Sequence, residues 1–178
     1  MKLPETALKI STIALITAAL LLTVKTDTES TYTTGKIEVV DGDTLEFNSS
    51  GRTDTVRLLG VDTPETLSAN NPEEYGFEDS LESRECLSRY ASKAENFASE
   101  FVGGKTVEIS TDAKSDRRGD YGRLLAYVKT VKHDKNLNER LLEEGYARVY
   151  SSEFSRREKF RLLEEKAREE DRGLWSCG

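Results

Sequence analysis

The sequence predicts an α+β fold, mainly a small closed β-barrel of five strands with three helices. Five short segments alternate or run apolar between turn residues, at 36–40, 44–47, 55–61, 106–110 and 124–131. Three longer segments repeat apolar residues every three or four positions, as helices do, at 86–102, 137–145 and 154–172. Because the chain has 178 residues and 36% of them are hydrophobic, we expect one domain with one core.

The first 25 residues differ in composition from the rest and predict a targeting segment. Residues 10–24 carry no charge, and Lys2 and Lys9 precede them. As a helix they would be about 22 Å long, against about 30 Å of bilayer hydrocarbon. No clear small-residue cleavage site follows them, so a cleaved signal peptide and an uncleaved membrane anchor both fit the pattern. Either one places the rest of the chain outside the cytoplasm, secreted or membrane-anchored.

Residues 26–34 are rich in Thr and Ser and predict a polar linker, after which the domain spans residues 35–178. Charged residues of both signs are interleaved, and the formal net charge is -7. This describes an acidic surface. It counts against a passive DNA-binding protein, since such proteins draw much of their affinity from neutralising phosphates with Lys and Arg.

The two cysteines of the chain, Cys86 and Cys177, both follow the targeting segment. An oxidising compartment outside the cytoplasm would allow a disulfide between them, and two unrelated thiols are the alternative. A bridge would tie the C-terminal end of the chain to the front of the first predicted helix.

Two turns present carboxylates at strand ends. Asp41-Gly42-Asp43 follows one apolar run, and Asp62-Thr63-Pro64-Glu65 follows another. Each has a purely structural interpretation. The first is a favoured hairpin turn, and the second is a helix start with Asp62 as the N-cap.

One arginine favours a functional interpretation of these turns. Arg57 lies inside an apolar strand, where an unpaired charge is costly, so it needs a carboxylate or a phosphate beside it. Asp43 and Asp62 each follow an apolar run and could offer hard oxygens to one Ca²⁺ or Mg²⁺ ion. The single histidine, His133 in a polar turn, excludes mechanisms that need two. Acids, arginines and a metal ion suit the attack of water on a phosphodiester.

Four spaced motifs extend this interpretation. They are Val-Asp-Gly-Asp-Thr at 40–44, Arg-Leu-Leu-Gly-Val-Asp-Thr-Pro-Glu-Thr at 57–66, Tyr-Gly-Arg-Leu-Leu-Ala-Tyr-Val at 121–128 and Leu-Asn-Glu-Arg-Leu-Leu-Glu-Glu-Gly-Tyr-Ala at 137–147. Together, and in this order over residues 34–175, they resemble the staphylococcal nuclease (thermonuclease) family. The resemblance implies an OB-fold barrel of five strands with three helices, which agrees with the elements predicted above.

The resemblance also implies a metal site. By motif position, Asp43 and Asp62 would bind one Ca²⁺ ion through their carboxylates, and Thr63 would bind it through its backbone carbonyl. Asp41 would lie beside the metal without binding it.

The same motifs imply the catalytic groups. Glu65 would activate or orient the attacking water, while Arg57 and Arg123 would bind the scissile phosphate with their planar guanidinium groups. Tyr121 would contact the substrate. The implied protein is a monomeric Ca²⁺-dependent endonuclease of DNA and RNA that prefers single strands, without a protein partner.

Some residues depart from the family pattern. Asp120 stands where a basic residue is common, Ser151-Ser152-Glu153 replaces a tyrosine-bearing stretch, and residues 67–85 carry six acids. The basic pair Arg117-Arg118 could compensate for these acids or could simply be a solvated loop. Two other classes stay open, a barrel that binds single strands without cutting them and a Ca²⁺-binding adhesion module. The acids and arginines present together count against both.

Overall fold

The structure, a computed structural model, describes residues 29–49, 51–131 and 135–178. The predicted targeting segment at 1–25, the start of the predicted linker and His133 lie outside the described residues. Within the described ranges, no helix combines the length and the apolar character needed to cross a membrane.

Eight strands and three α-helices are present in the described residues, which confirms the α+β class. The strands are β1 (Thr31–Thr34), β2 (Ile37–Asp41), β3 (Thr44–Ser49), β4 (Arg52–Leu58), β5 (Val61–Asp62), β6 (Val107–Ser110), β7 (Leu124–Thr130) and β8 (Arg148–Val149). The α-helices are α1 (Leu81–Val102), α2 (Leu137–Glu143) and α3 (Arg157–Glu169), and short 3₁₀ helices span Pro72–Tyr75, Asp120–Gly122 and Gly173–Cys177.

Six of the strands form one mixed sheet in the order β1-β6-β7-β4-β3-β2, and only β4 and β7 run parallel. The sheet curls on itself. The Thr34 hydroxyl at the end of β1 donates to the carbonyl of Asn48 on β3 at 3.2 Å, which brings one end of the strand order close to the other. The predicted barrel is therefore confirmed, with six strands in its sheet rather than five, and β5 pairs separately with β8.

The extra strand of the sheet is β1. The sequence predicts a polar linker up to Thr34, but Thr31–Thr34 pairs in antiparallel fashion with β6. It lies at the end of the strand order, and its three residues from Thr31 to Thr33 are at least partly exposed. A strand of this kind has no apolar alternation to reveal it, which is why the composition resembles a spacer.

The core fills the barrel and the space between the barrel and the helices. Leu45 and Phe47 on β3 and Val56 and Leu58 on β4 are buried, as the alternation of these strands requires. Each such side chain contributes roughly 1.5–3 kcal/mol on burial. This core therefore stabilises the strands from which the turns at the end of the barrel emerge.

Helix α1 begins five residues before the predicted start at Cys86. The Ser80 hydroxyl accepts a hydrogen bond from the amide of Ser83 at 3.1 Å and so caps the first turn. That turn is mostly exposed, so the apolar periodicity starts only at Cys86.

A buried amide on α2 holds the end of β4 against β7. The Asn138 side chain is fully buried and donates to the carbonyls of Leu59 at 2.9 Å and Ala126 at 3.2 Å. It also accepts from the amide of Val128 at 3.2 Å. These bonds satisfy backbone groups where the chain leaves β4, directly before the turn that carries Asp62.

A second, smaller cluster packs the C-terminal end of the chain against α1. Leu87 on α1, Tyr75, Leu174 and Trp175 are among its buried residues. Cys86 and Cys177 are joined by a disulfide beside it, with their Cα atoms 5.7 Å apart. The bridge closes a loop of 91 residues and ties the C-terminus to the start of α1.

We predict that replacing both Cys86 and Cys177 with serine lowers the free energy of unfolding by about 2–4 kcal/mol, because the unfolded chain regains the entropy of a long open loop. Urea unfolding followed by circular dichroism measures the change. The oxidised and the reduced, alkylated wild-type proteins serve as references. A double variant as stable as the oxidised protein would contradict the stabilising role.

Candidate active site

The turn between β2 and β3 packs closely against the residues that follow β5. The Asp41 carboxylate accepts from the amide of Asp43 at 3.0 Å, which closes the turn. A Cβ atom on Gly42 would lie 2.7 Å from the Thr63 hydroxyl, so no larger residue fits there without movement. The glycine therefore allows two sequence-distant turns to meet.

Asp43 is the most deeply buried acid of this region, with 1% of its surface exposed. One of its oxygens accepts from the amide of Thr63 at 2.9 Å. The other oxygen accepts from the Thr44 hydroxyl at 3.2 Å and contacts the guanidinium of Arg57. A buried carboxylate with this many donors has one fixed orientation.

Arg57 bridges the two turns. Its guanidinium contacts Asp43 through Nη1 and Asp62 through Nη2, the second at 2.5 Å from Oδ1. The side chain is 15% exposed, so the charge lies mostly out of water. The structure thus places two carboxylates beside Arg57, as its position in an apolar strand requires.

Arg148 is a residue of this site that the sequence did not reveal. On β8 it pairs directly with Asp62 on β5, and its Nη2 lies 2.6 Å from Oδ2 of Asp62. The same nitrogen lies 2.8 Å from Oε2 of Glu74, and the guanidinium lies 5.3 Å from the centre of the Tyr75 ring. In the sequence, the sign of this role is that a positively charged residue stands between the apolar residues Ala147 and Val149.

Glu65 lies among these charges. Burial of its carboxyl group raises the pKa, and the negative charge of Asp41 raises it further. Asp62 acts in the same direction, whereas Arg57 and Arg123 oppose the shift. The net effect is a raised pKa. All four charged groups therefore lie near the Glu65 carboxylate, which has no hydrogen bond or ion pair of its own to any described residue.

Arg123 reaches the site through the parallel pairing of β4 and β7. Leu125 on β7 lies opposite Arg57 on β4, and Arg123 directly precedes β7. Its Nη1 is 3.5 Å from the Thr44 hydroxyl, and its buried Nε has no partner among the described residues. In contrast to Arg57, Arg123 has no carboxylate partner among the described residues.

Tyr121 stands beside Arg123 in a constrained turn. Its φ of 63° lies in the left-handed region, which a residue other than glycine rarely adopts. The side chain is 94% exposed, and its ring centre lies 5.6 Å from the Arg123 guanidinium. Strain of this kind, holding an aromatic ring in solvent beside an unpaired cation, is typical of a ligand site.

A cavity of about 240 Å³ opens between these residues. Arg57, Arg123 and Tyr121 line it, together with Asp120 and Tyr150. Both arginines therefore line the same cavity.

The basic pair Arg117-Arg118 lies next to this cavity but makes its contacts with residues outside it. Arg118 makes a bidentate contact with Asp54, at 2.6 and 3.0 Å, and also donates to the carbonyl of Gly122 at 2.5 Å. Arg117 donates to the hydroxyl of Tyr32. Neither arginine lines the cavity. Asp120 is thus not balanced by these neighbours.

The donor atoms fit a hard cation in chemical type. Because one guanidinium contacts both Asp43 and Asp62, oxygens from the two carboxylates lie within a few ångströms of each other and within reach of one ion. The described residues contain no cluster of three or more Asp, Glu, His or Cys side chains suited to a metal. A cation here would need further oxygens from the backbone, such as the Thr63 carbonyl, and from water.

We predict that Arg148→Met lowers the free energy of unfolding by about 1.5–3 kcal/mol, because Asp62 loses a charged hydrogen bond in a partly buried position. Chemical denaturation measures the effect. Glu74→Gln is the control, since the Glu74 side chain is 52% exposed and its contact is worth less than about 1 kcal/mol. Equal losses in the two variants would contradict the particular importance of the contact to Asp62.

Comparison with known proteins gives one matching family and several relatives. Residues 55–177 match the family described as staphylococcal nuclease homologue. The chain is 39% identical to the uncharacterized protein MJ1439 of Methanocaldococcus jannaschii over 84% of this chain and 74% of that protein. It is 37% identical to endonuclease YncB of Bacillus subtilis over 77% of this chain and 58% of the relative, so it spans little more than half of that protein.

A thermonuclease of Staphylococcus hyicus is 31% identical over 83% of this chain and 77% of that protein. The family match covers both arginines, Asp62 and Glu65, and it ends at Cys177. The chain therefore belongs to the staphylococcal nuclease family.

Proposed function

We propose that this protein is an exported Ca²⁺-dependent endonuclease that hydrolyses phosphodiester bonds in DNA and RNA. Membership of the staphylococcal nuclease family makes it a hydrolytic nuclease with nucleic acid as its substrate. The metal, the site of action and the preferred form of the nucleic acid are the proposed part.

The observation that carries the proposal is the unequal state of the two arginines on one cavity. Arg57 is held by the two carboxylates, whereas the partly buried guanidinium of Arg123 contacts the Thr44 hydroxyl but no carboxylate among the described residues, and its buried Nε has no partner there. A partly buried cation without an anionic partner is costly, and a phosphate group in the cavity would supply that partner. The unpaired arginine therefore favours an anionic substrate.

The carboxylates of Asp43 and Asp62 and the carbonyl of Thr63 would hold the Ca²⁺ ion. When bound, the ion supplies positive charge to the phosphate that is being attacked. It would also replace the charge of Arg57 beside the two carboxylates, and this would leave the guanidinium able to bind phosphate.

The chain's own residues then divide the work of hydrolysis. The Glu65 carboxylate, which no described residue engages, accepts the proton of the attacking water. Arg123 and Arg57 donate to the non-bridging oxygens and stabilise the charge that develops in the transition state. Asp41 keeps the turn closed beside Asp43.

Single strands suit this site better than a duplex. Tyr121 offers an exposed ring beside the phosphate-binding arginines, and stacking of an unpaired base on such a ring is a common mode of single-strand binding. A duplex keeps its bases stacked inside, so this contact would be lost.

Export is supported by the charge pattern of residues 1–25 and by the disulfide, since disulfides persist in oxidising compartments. Cleavage of the segment would release the enzyme, whereas retention of residues 10–24 would anchor it to a membrane. In both cases the nuclease domain faces outwards and acts as a monomer.

We predict that the purified protein degrades single-stranded DNA and RNA with Ca²⁺ and loses this activity when a chelator removes the ion. Glu65→Gln, Arg57→Ala and Arg123→Ala should each lower kcat by about 10²–10⁴-fold, because each removes a group that acts on the transition state. Gel and fluorescence assays of oligonucleotide cleavage measure the rates.

Arg161→Ala is the matched control, because Arg161 pairs with Glu158 and Glu165 on the exposed side of α3 and lies outside the cavity. It should retain nearly the wild-type rate. Tight binding of single strands without any Ca²⁺-dependent cleavage would instead identify a binding module. Wild-type rates in Glu65→Gln would show that the base has been assigned to the wrong residue.

A further inference from the structure

The position of the Glu65 carboxylate depends on its backbone. Among the described residues no donor or cation contacts that carboxylate, although it must lie within hydrogen-bond reach of a water molecule to act as a base. Its neighbours Asp43, Asp62 and Arg57, in contrast, hold one another through direct contacts. Whatever fixes the Glu65 backbone therefore sets the point from which the base reaches towards the substrate.

A single side chain makes both available backbone contacts to Glu65. The Asn70 Oδ1 accepts from the amide of Glu65 at 2.7 Å, and its Nδ2 donates to the carbonyl of Glu65 at 3.1 Å. Asn70 is only 7% exposed, so water competes little for these bonds. Together the two bonds hold both the backbone amide and the backbone carbonyl of Glu65.

The preceding residues are held as well. The Thr63 amide donates to the buried carboxylate of Asp43, and Pro64 has a fixed φ angle. The segment from Thr63 to Glu65 is thus attached at its start to Asp43 and at its end to Asn70. One end carries the proposed carbonyl ligand, and the other carries the proposed base.

We propose that Asn70 is a positioning residue for hydrolysis, holding the Glu65 backbone so that its carboxylate faces the attacking water. This inference rests on the proposed function of Glu65. Among the described residues the Asn70 side chain hydrogen-bonds to Glu65 alone, so its effect on the reaction passes through Glu65.

The chemistry of the side chain explains why an amide stands here. An asparagine both donates and accepts, which the amide and the carbonyl of Glu65 require together. An aspartate would accept from the amide but could not donate when ionised, and it would add a negative charge next to Glu65. An alanine would leave both backbone groups of Glu65 without this partner.

The neighbouring residue Asn71 provides a matched control in the same loop. Its side chain accepts from the amide of Glu73 and caps the 3₁₀ helix Pro72–Tyr75, but it makes no contact with Glu65. Asn71→Ala therefore disturbs the local turn without releasing the base.

The test compares Asn70→Ala, Asn70→Asp and Asn71→Ala in the full chain. Both Asn70 variants should lower kcat by about 10–100-fold, because a small displacement of a reacting group is sufficient for such a loss. KM for single-stranded DNA and the Ca²⁺ affinity from calorimetry should stay within about threefold of wild type, since those groups are untouched. Hydrogen exchange at the Glu65 amide should become faster in Asn70→Ala and not in Asn71→Ala.

A double variant separates this inference from the proposed function. If Asn70 acts through Glu65, adding Asn70→Ala to Glu65→Gln should cause little further loss of kcat. Full additivity, a wild-type kcat in folded Asn70→Asp, or an equal loss in Asn71→Ala would each overturn the role of Asn70. A fully active Glu65→Gln would instead overturn the proposed function of Glu65, whatever the Asn70 variants show.

Discussion

The contact of Arg57 with Asp43 and Asp62 is the interaction on which the rest of the site depends. It joins the turn after β2 to the strand after β4, and it neutralises two carboxylates that would otherwise repel each other in a partly buried position. Arg148 extends the same alternation of charges to Glu74. The result is a row in which carboxylates and guanidinium groups alternate.

The barrel supplies the geometry that this row needs. Parallel pairing of β4 and β7 brings Arg123, which is distant in sequence, to the same cavity as Arg57. Close packing of Gly42 on Thr63 brings the first turn to the second. The disulfide and the cluster around Trp175 hold the C-terminal end against α1 and pack Tyr75, whose ring lies below Arg148. Distant parts of the chain thus support one small site.

The residues of the site differ in how far the sequence could reveal them. Arg57 could be identified from the sequence because a charge within an apolar run needs a partner. Asp43 and Asp62 could be identified because they directly follow such runs. Arg148 and Asn70 could not be identified from the sequence. The role of Arg148 arises from the pairing of two strands of two residues each, and that of Asn70 from a contact with the backbone of a residue five positions away. Strand β1 was missed for a similar reason, since its pairing with β6 leaves no apolar pattern. Properties carried by a local pattern could be predicted, whereas those that arise from register could not.

We propose that Arg57 passes from the two carboxylates to the scissile phosphate when a metal ion binds between them. The most direct measurement is a crystal structure with Ca²⁺ and a hydrolysis-resistant phosphorothioate oligonucleotide. We expect one ion shared by Asp43 and Asp62, with a phosphate contacted by both Arg57 and Arg123. A complex in which Arg57 stays on both carboxylates and the phosphate binds elsewhere would contradict it.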